Sequence, residues 1–146
     1  MKRSGRDIQT FLLDTNVFVS AIKKPAKQTN TLRLIIKIVN EPALKLVGNH
    51  LLAHEMLRYA ELLRSETAAT LLAVLLSKME IVRVAKNYRK ICKVYIKTPD
   101  MSDIMHAATC LQTGAILITN DRHFDRIRDE GIIEVWSLSK SIKNLL

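Results

Sequence analysis

The stretch TFLLDTNV, residues 10–17, places Asp14 directly after a short apolar run. A run of this length, bounded by polar residues, predicts a buried strand. A second stretch, ILITND at residues 116–121, repeats the arrangement and places Asp121 after another apolar run. In open parallel sheets the carboxyl ends of the strands meet at one edge, and ligands bind there. We therefore expect Asp14 and Asp121 to lie together at that edge.

The rest of the chain alternates short apolar strands with longer helical stretches, the pattern of a parallel α/β sheet. The predicted strands are residues 10–14, 45–48, 81–84, 115–119 and 132–136, and the predicted helices are 17–23, 30–40, 50–63, 65–77, 87–97, 103–113 and 122–130. Asn49 and Ser102 are predicted to cap the helices that follow them, and Gly114 to end one. There is no repeat or linker, so residues 1–146 are predicted to be one domain with a flexible basic N-terminus at 1–8.

The composition favours a folded protein with a polyanionic partner. Hydrophobic residues make up 48% of the 146, which suits a globular core. Lys and Arg number 23 against 14 acids, and the net charge of +9 favours RNA or DNA. Cys92 and Cys110 are too few for a disulfide framework and are predicted to be buried free thiols. With no signal peptide and no apolar run near the roughly 20 residues of a membrane span, we expect a cytoplasmic protein without a membrane partner.

Two further acids are predicted to join Asp14 and Asp121. Glu55 lies near the start of the helix after the second strand. Asp103 follows the predicted Ser102 cap, at a helix N-terminus where negative charge is favoured. Carboxylates gathered at strand ends are costly unless a cation compensates them, and hard divalent cations prefer oxygen ligands. Taken singly, Asp14 and Asp121 fit helix capping as well as metal binding.

Four short motifs in order resemble the PIN domain family, the metal-dependent ribonuclease fold. They are DTNV at 14–17, Glu55 in a helix, Asp103-x-x-x-Ala107-Ala108, and TND at 119–121, and the resemblance spans residues 10 to about 136. It implies a three-layer α/β/α fold whose central five-stranded parallel sheet has strand order 3-2-1-4-5. It also implies cleavage of single-stranded or structured RNA that depends on Mg²⁺ or Mn²⁺.

By this resemblance Asp14, Glu55, Asp103 and Asp121 would form the catalytic, metal-binding cluster, with Asp14 and Asp121 as direct ligands. Asn16 and Thr119 match supporting polar positions, and Asp125 matches an additional acid of some members. The sequence DTN followed by VFVSA resembles the toxin-type prokaryotic branch, which implies an antitoxin partner. PIN-like proteins commonly pair, so a homodimer is expected, with the apolar helix at 65–76 in the contact or buried within the monomer.

A basic stripe is predicted between residues 83 and 97, which hold six basic residues and no acid. Its members recur at helical spacing: Lys86, Arg89, Lys90, Lys93 and Lys97. It is a candidate RNA-binding surface, although an ordinary solvated helix face fits the same pattern. The opposite face, which includes Tyr88 and Ile91, is expected to pack on the domain. Arg122 and Arg126 flank Asp121 and are further candidates for phosphate contacts.

Other functions remain open from the sequence. The same fold could be a catalytically silent module that binds RNA or a protein, or a structure-specific DNA nuclease. His54-Glu55 is not followed by the second histidine of a zinc-protease motif, so His50 and His54 are predicted to be surface residues. His106 is predicted to pack, or to share a proton with the acidic site without a catalytic role.

Overall fold

A computed structural model describes residues 8–23, 29–97 and 100–146 of the protein. Five parallel strands form a sheet in the order β3-β2-β1-β4-β5, flanked by helices. The predicted α/β architecture and strand order are confirmed. Of the predicted flexible N-terminus, residues 1–7 lie outside the described part, so that prediction is not tested.

The elements alternate along nearly the whole described chain. The strands are β1 (Gln9–Leu13), β2 (Leu44–Gly48), β3 (Glu80–Ile81), β4 (Ile116–Ile118) and β5 (Val135–Trp136). The helices are α1 (Thr15–Ile22), α2 (Asn30–Asn40), α3 (His50–Leu63), α4 (Glu66–Lys78), α5 (Lys86–Tyr95), α6 (Met101–Thr113), α7 (Asp125–Asp129) and α8 (Leu138–Leu145), with a 3₁₀ turn at Arg122–Phe124. No helix in the described ranges is both long and apolar enough to cross a bilayer.

Strand β1 is the centre of the sheet and fixes the position of Asp14. Its residues pair with β2 on one side and with β4 on the other, where Leu13 lies opposite Ile118. Phe11, Leu12 and Leu13 are fully buried because helices cover both faces. The Asp14 amide then donates to the Ile118 carbonyl at 3.1 Å. Asp14 and the residues after β4 therefore emerge at the same edge.

Helix α6 brings a third part of the chain to that edge. It packs against β1, β2 and β4, and its buried residues include the small Ala107 and Ala108. Gly114 ends the helix in the left-handed conformation (φ 74°), as its predicted stop requires. The other end of α6 carries Asp103, which is only 8% exposed although it is charged.

Two helix starts differ from the prediction, and both differences matter at the site. Helix α1 begins at Thr15 rather than residue 17, so the chain turns immediately after Asp14. Helix α6 is capped by Asp100, whose Oδ1 accepts from the Ser102 amide at 2.9 Å, and not by Ser102. Asp103 is therefore the third residue of the helix, and Ser102 lies inside its first turn.

Three other differences concern packing. Strand β3 is two exposed residues, Glu80 and Ile81, rather than 81–84. It pairs with the last two residues of β2, and the Val82 amide adds one bond to the Gly48 carbonyl at 2.8 Å. Helix α8, which was not predicted, begins after the Ser137 cap and packs on α2 and β5. Ile91, which was expected to pack, is 43% exposed on α5, whereas Cys92 beside it is buried.

Candidate functional site

Thr119 joins two of the predicted acids at the carboxyl edge of the sheet. Its hydroxyl donates to Asp14 Oδ2 at 2.7 Å and accepts from the Asp121 amide at 3.0 Å. Its own amide donates to the Trp136 carbonyl at 3.0 Å, which ties it to β5. One buried hydroxyl thus holds the acid after β1 next to the acid after β4.

His123 connects the third acid and was missed from the sequence. It lies in the 3₁₀ turn after Asp121, and its amide donates to Asp121 Oδ1 at 2.9 Å. Its Nδ1 is 2.8 Å from Asp103 Oδ2 and 3.3 Å from Asp121 Oδ1. Ligand atoms of the three residues lie within 4.8 Å of one another, a grouping that can hold a metal ion. The signal in the sequence was a histidine two residues after a strand-end aspartate.

Glu55, on α3, faces the same edge. Its Oε2 accepts from Thr15 Oγ1 at 3.3 Å, and the Ser102 hydroxyl is near enough to the carboxylate to lower its pKa. Its Oε1 lies 3.3 Å from Nε2 of His106. Because Thr15 follows Asp14 and Ser102 precedes Asp103, these contacts place Glu55 beside two of the other acids.

Burial and mutual repulsion disfavour the charged forms of two acids. Burial raises the pKa of Asp14, and the nearby Asp121 charge raises it further, against the opposing Thr119 hydrogen bond. Burial also raises the pKa of Asp103, with Asp121 and Asp100 adding to the effect and His123 opposing it. The hydrogen bond that His123 donates to Asp103 and the charge of Asp121 in turn raise the pKa of His123.

The pKa of Glu55 moves in the other direction. Burial, the largest single influence, would raise it. The contacts from His106, Ser102 and Thr15 together outweigh burial and hold the pKa of Glu55 below its usual range. Glu55 is therefore the acid whose charge the surrounding protein itself stabilises.

The residues present fit a hard divalent cation. Within the described ranges, no Lys or Arg side chain forms an ion pair with Asp14, Asp103 or Asp121, and the basic side chain that contacts Asp103 and Asp121 is His123. Carboxylate oxygens are preferred by Mg²⁺ and Mn²⁺, and an imidazole nitrogen is also acceptable to a transition metal. A divalent cation would therefore suit these ligand atoms and compensate the excess negative charge at this edge.

Two predicted supporting residues form no hydrogen bond or ion pair with the four acids among the described contacts. Asn16 is exposed on the first turn of α1. The Asp125 carboxylate is half-exposed and pairs with Arg128 Nη1 at 3.3 Å within its own helix. The contacts described for Asp125 are not with the acidic cluster, so its supporting role stays a prediction.

The two arginines next to Asp121 also differ from each other. Arg126 donates from Nη1 to the Val94 carbonyl at 3.2 Å and lies over the Tyr95 ring, 5.5 Å from its centroid. Arg126 therefore connects α7, which follows the 3₁₀ turn, to the end of α5. Arg122 is exposed, and its side chain is the better placed of the two to meet a ligand at the edge.

Four of the five stripe residues line a groove between α5 and α6. The groove measures about 240 Å³, and its lining residues are Lys86, Arg89, Lys90, Lys93, Met101 and Ile104. We call it the basic groove. Its α6 wall includes Met101 and Ile104, in the first turns of the helix that carries Asp103. Within the described ranges none of its four cations forms an ion pair with an acid.

Comparison with known proteins gives a family match and a set of similar folds. The family model of the PIN domain matches residues 11–130. Sequence comparison with curated proteins gives no match.

Three solved structures illustrate the shared fold. One is VapBC2 from Rickettsia felis bound to a DNA fragment from its promoter, with a TM-score of 0.65 and 17% identity over 88% of this chain and 98% of the other. Another is PAE2754 from Pyrobaculum aerophilum, with a TM-score of 0.59 and 16% identity over 95% and 97%. A third is VapBC-1 from nontypeable Haemophilus influenzae, with a TM-score of 0.62 and 21% identity over 90% and 100%.

Proposed function

The chain belongs to the PIN domain family, and from that premise we propose that it is a divalent-metal-dependent endoribonuclease. PIN domains are generally nucleases. The observation that carries the proposal is the meeting of Asp14, Asp103 and Asp121 at one sheet edge without a Lys or Arg partner in the described ranges. A protein gains nothing in stability from such a cluster unless a cation binds there.

The chain's own residues then have distinct roles. Asp14 and Asp121 are proposed direct ligands, with Asp103 and Glu55 completing the set directly or through water. When bound, Mg²⁺ or Mn²⁺ would activate a water molecule and neutralise charge on the phosphate. Thr119 keeps the Asp14 carboxylate turned toward Asp121. No side-chain nucleophile is required.

The basic groove supports RNA as the substrate. The four cations along the groove could hold phosphates of an RNA backbone. The apolar floor, formed by Met101 and Ile104, can take the face of an unpaired base, which favours single-stranded RNA. Arg122 offers a further exposed cation next to Asp121.

An antitoxin partner is also proposed. The resemblance to toxin-type PIN proteins predicts it, and the similarity to VapBC toxin–antitoxin proteins supports it. The homodimer and the cytoplasmic location stay predictions. Exposed Leu62, Val74 and Leu76 on α3 and α4 are consistent with a contact between copies, and light scattering of the purified chain measures it directly.

The test is cleavage of a labelled single-stranded RNA pool with Mg²⁺, with Mn²⁺ or with EDTA. We expect cleavage with metal and none with EDTA. Asp14→Asn and Asp121→Asn should each abolish it, and Asp129→Asn, an exposed acid paired with Arg128, should not. Metal-dependent activity that persists in both cluster variants would refute the assigned site.

The same assay separates the competing functions. Single-stranded DNA of the same sequences and a flapped DNA duplex are included as substrates, because a DNA nuclease would cut these and leave RNA intact. A silent binding module would bind the RNA with unchanged affinity in EDTA and cut none of the substrates.

A further inference from the structure

The orientation of the buried Asn49 amide is determined by its contacts. Asn49 is 1% exposed and caps α3, where its Oδ1 accepts from the Leu52 amide at 2.9 Å. Turning the amide over would place a donor against the Leu52 N–H, and two donors cannot satisfy each other. The Asn49 Nδ2 group must therefore point away from α3, toward α6.

On α6 the Asn49 amide nitrogen meets two acceptors. Thr109 Oγ1 donates to the Met105 carbonyl at 2.7 Å, so its free lone pair accepts from Asn49 Nδ2 at 3.0 Å. The other hydrogen of Nδ2 is directed at His106 Nδ1, 3.2 Å away. Because an amide nitrogen only donates, His106 Nδ1 must accept and carries no proton. The proton of the neutral imidazole is then on Nε2.

That proton faces the acidic site. His106 is 1% exposed, and its Nε2 lies 3.3 Å from Glu55 Oε1. Neither atom has a well-aligned hydrogen-bond partner among the described residues. The contact is long for a hydrogen bond, and such contacts at apo sites often tighten in the working complex. Since Thr15 holds the other oxygen of Glu55, an Nε2–H donor would fix both ends of the carboxylate.

We propose that Asn49 and His106 are positioning residues: Asn49 selects the Nε2–H tautomer of His106, which orients Glu55 in the acidic site. This inference rests on the proposed function for the use of an oriented Glu55, whereas the contacts of Asn49 and His106 do not depend on it. Partners of this outer kind typically change metal affinity or activity by about 10–100-fold when removed.

The tautomer is measured first, on the metal-free parent protein, by ¹⁵N NMR of the histidine side chains. We expect an unprotonated Nδ1 and a protonated Nε2 for His106, assigned by its loss in His106→Gln. Asn49→Ser keeps a helix cap but is too short to reach the imidazole, so this selection should be lost. A protonated Nδ1 in the parent protein, or an unchanged tautomer in Asn49→Ser, would overturn the proposal.

A matched pair of variants tests the effect on Glu55. In His106→Gln the side-chain amide nitrogen can take the place of Nε2, whereas the side chain in His106→Asn is too short to reach Glu55. We expect Mn²⁺ affinity, measured by the EPR signal of free Mn²⁺, to stay near the parent value in the first. The Mn²⁺ affinity of His106→Asn should fall by about 10–100-fold.

Equal losses in both variants, or no loss in either, would contradict the positioning role. Thermal unfolding of both variants shows whether a loss reflects the site or the fold, and the tautomer measurement on the parent protein uses His106→Gln only to assign the signal. A parent protein that binds Mn²⁺ with the expected tautomer but cuts no RNA would refute the proposed nuclease function and leave this inference intact.

Discussion

Removing two cations from the basic groove should change the salt dependence of RNA binding by a calculable amount. Lys90 and Lys93 both line the groove, both are exposed, and neither forms an ion pair in the described ranges. The double variant Lys90→Gln, Lys93→Gln therefore removes charge without disturbing a described contact. Its effect follows from the release of counterions when a cation neutralises a phosphate.

The size of the effect follows from the number of groove cations. Four cations line the groove. For single strands each neutralised phosphate contributes about −0.7 to the slope of log affinity against log salt, so four give about −2.8. The two groove cations that remain in the double variant give a slope of about −1.4. Between roughly 50 and 200 mM salt, the parent protein should lose about 50-fold in affinity and the variant only about 7-fold.

Fluorescence anisotropy with a labelled RNA in EDTA measures this slope, because the RNA is then bound and not cut. The matched control is Lys140→Gln, Lys143→Gln on α8, which removes the same charge on a helix that packs against α2 and β5. We expect the control slope to stay near that of the parent. Equal slopes for the parent and the groove variant would show that RNA does not bind in the basic groove. Equal flattening in both variants would show that only net charge matters.

Two further predictions concern the acidic cluster. Burial raises the pKa of Asp14 in the folded protein, so its contribution to stability is present at low pH and is lost as pH rises through that raised pKa. The melting temperature of Asp14→Asn should therefore gain on that of the metal-free parent as pH rises above the usual titration range of an aspartate. A difference that stays constant with pH in calorimetry would count against a buried, repelled charge. An imidazole nitrogen suits a transition metal better than it suits Mg²⁺, so His123→Ala should reduce activation by Mn²⁺ more than activation by Mg²⁺. Metal titrations of RNA cleavage measure both activations. Equal losses with the two metals would argue that His123 is not a ligand.

The sheet could be predicted because its signals are local and strong. Apolar runs such as residues 10–13 and 116–118 mark the central strands, and helices between them leave only parallel pairing. The edge strand β3 was predicted too long, since its length depends on how far β2 extends beside it and not on its own residues. Helix α8 shows the opposite case: the Ser137 cap and helical spacing were readable signals that the prediction did not use.

From the sequence, the candidate site could be predicted only as far as its acids and the supporting Thr119. Strand ends indicate where carboxylates meet, but hydrogen bonds between side chains depend on distances that the sequence does not encode. Thr119 and Asp14 are 105 residues apart, and Asn49 and His106 are 57 apart. The tautomer of His106 and the contact of Arg126 with α5 depend on such distances, which only the folded structure reveals. The basic stripe could be predicted from the sequence, whereas the groove that it forms with α6 could not.

The energetic cost of the acidic edge argues against a silent module. Folding buries Asp14 and Asp103 in surroundings that raise the pKa of each, so the metal-free fold disfavours the charges that they carry at neutral pH. A protein that only bound RNA through the basic groove would be more stable with neutral residues at both positions. A cation that binds only the folded state offsets that cost by mass action, about 2.7 kcal/mol at a concentration 100 times its dissociation constant. The ion proposed for catalysis would therefore also stabilise the fold, and a rise in melting temperature with Mn²⁺ that is absent in Asp121→Asn would link the two.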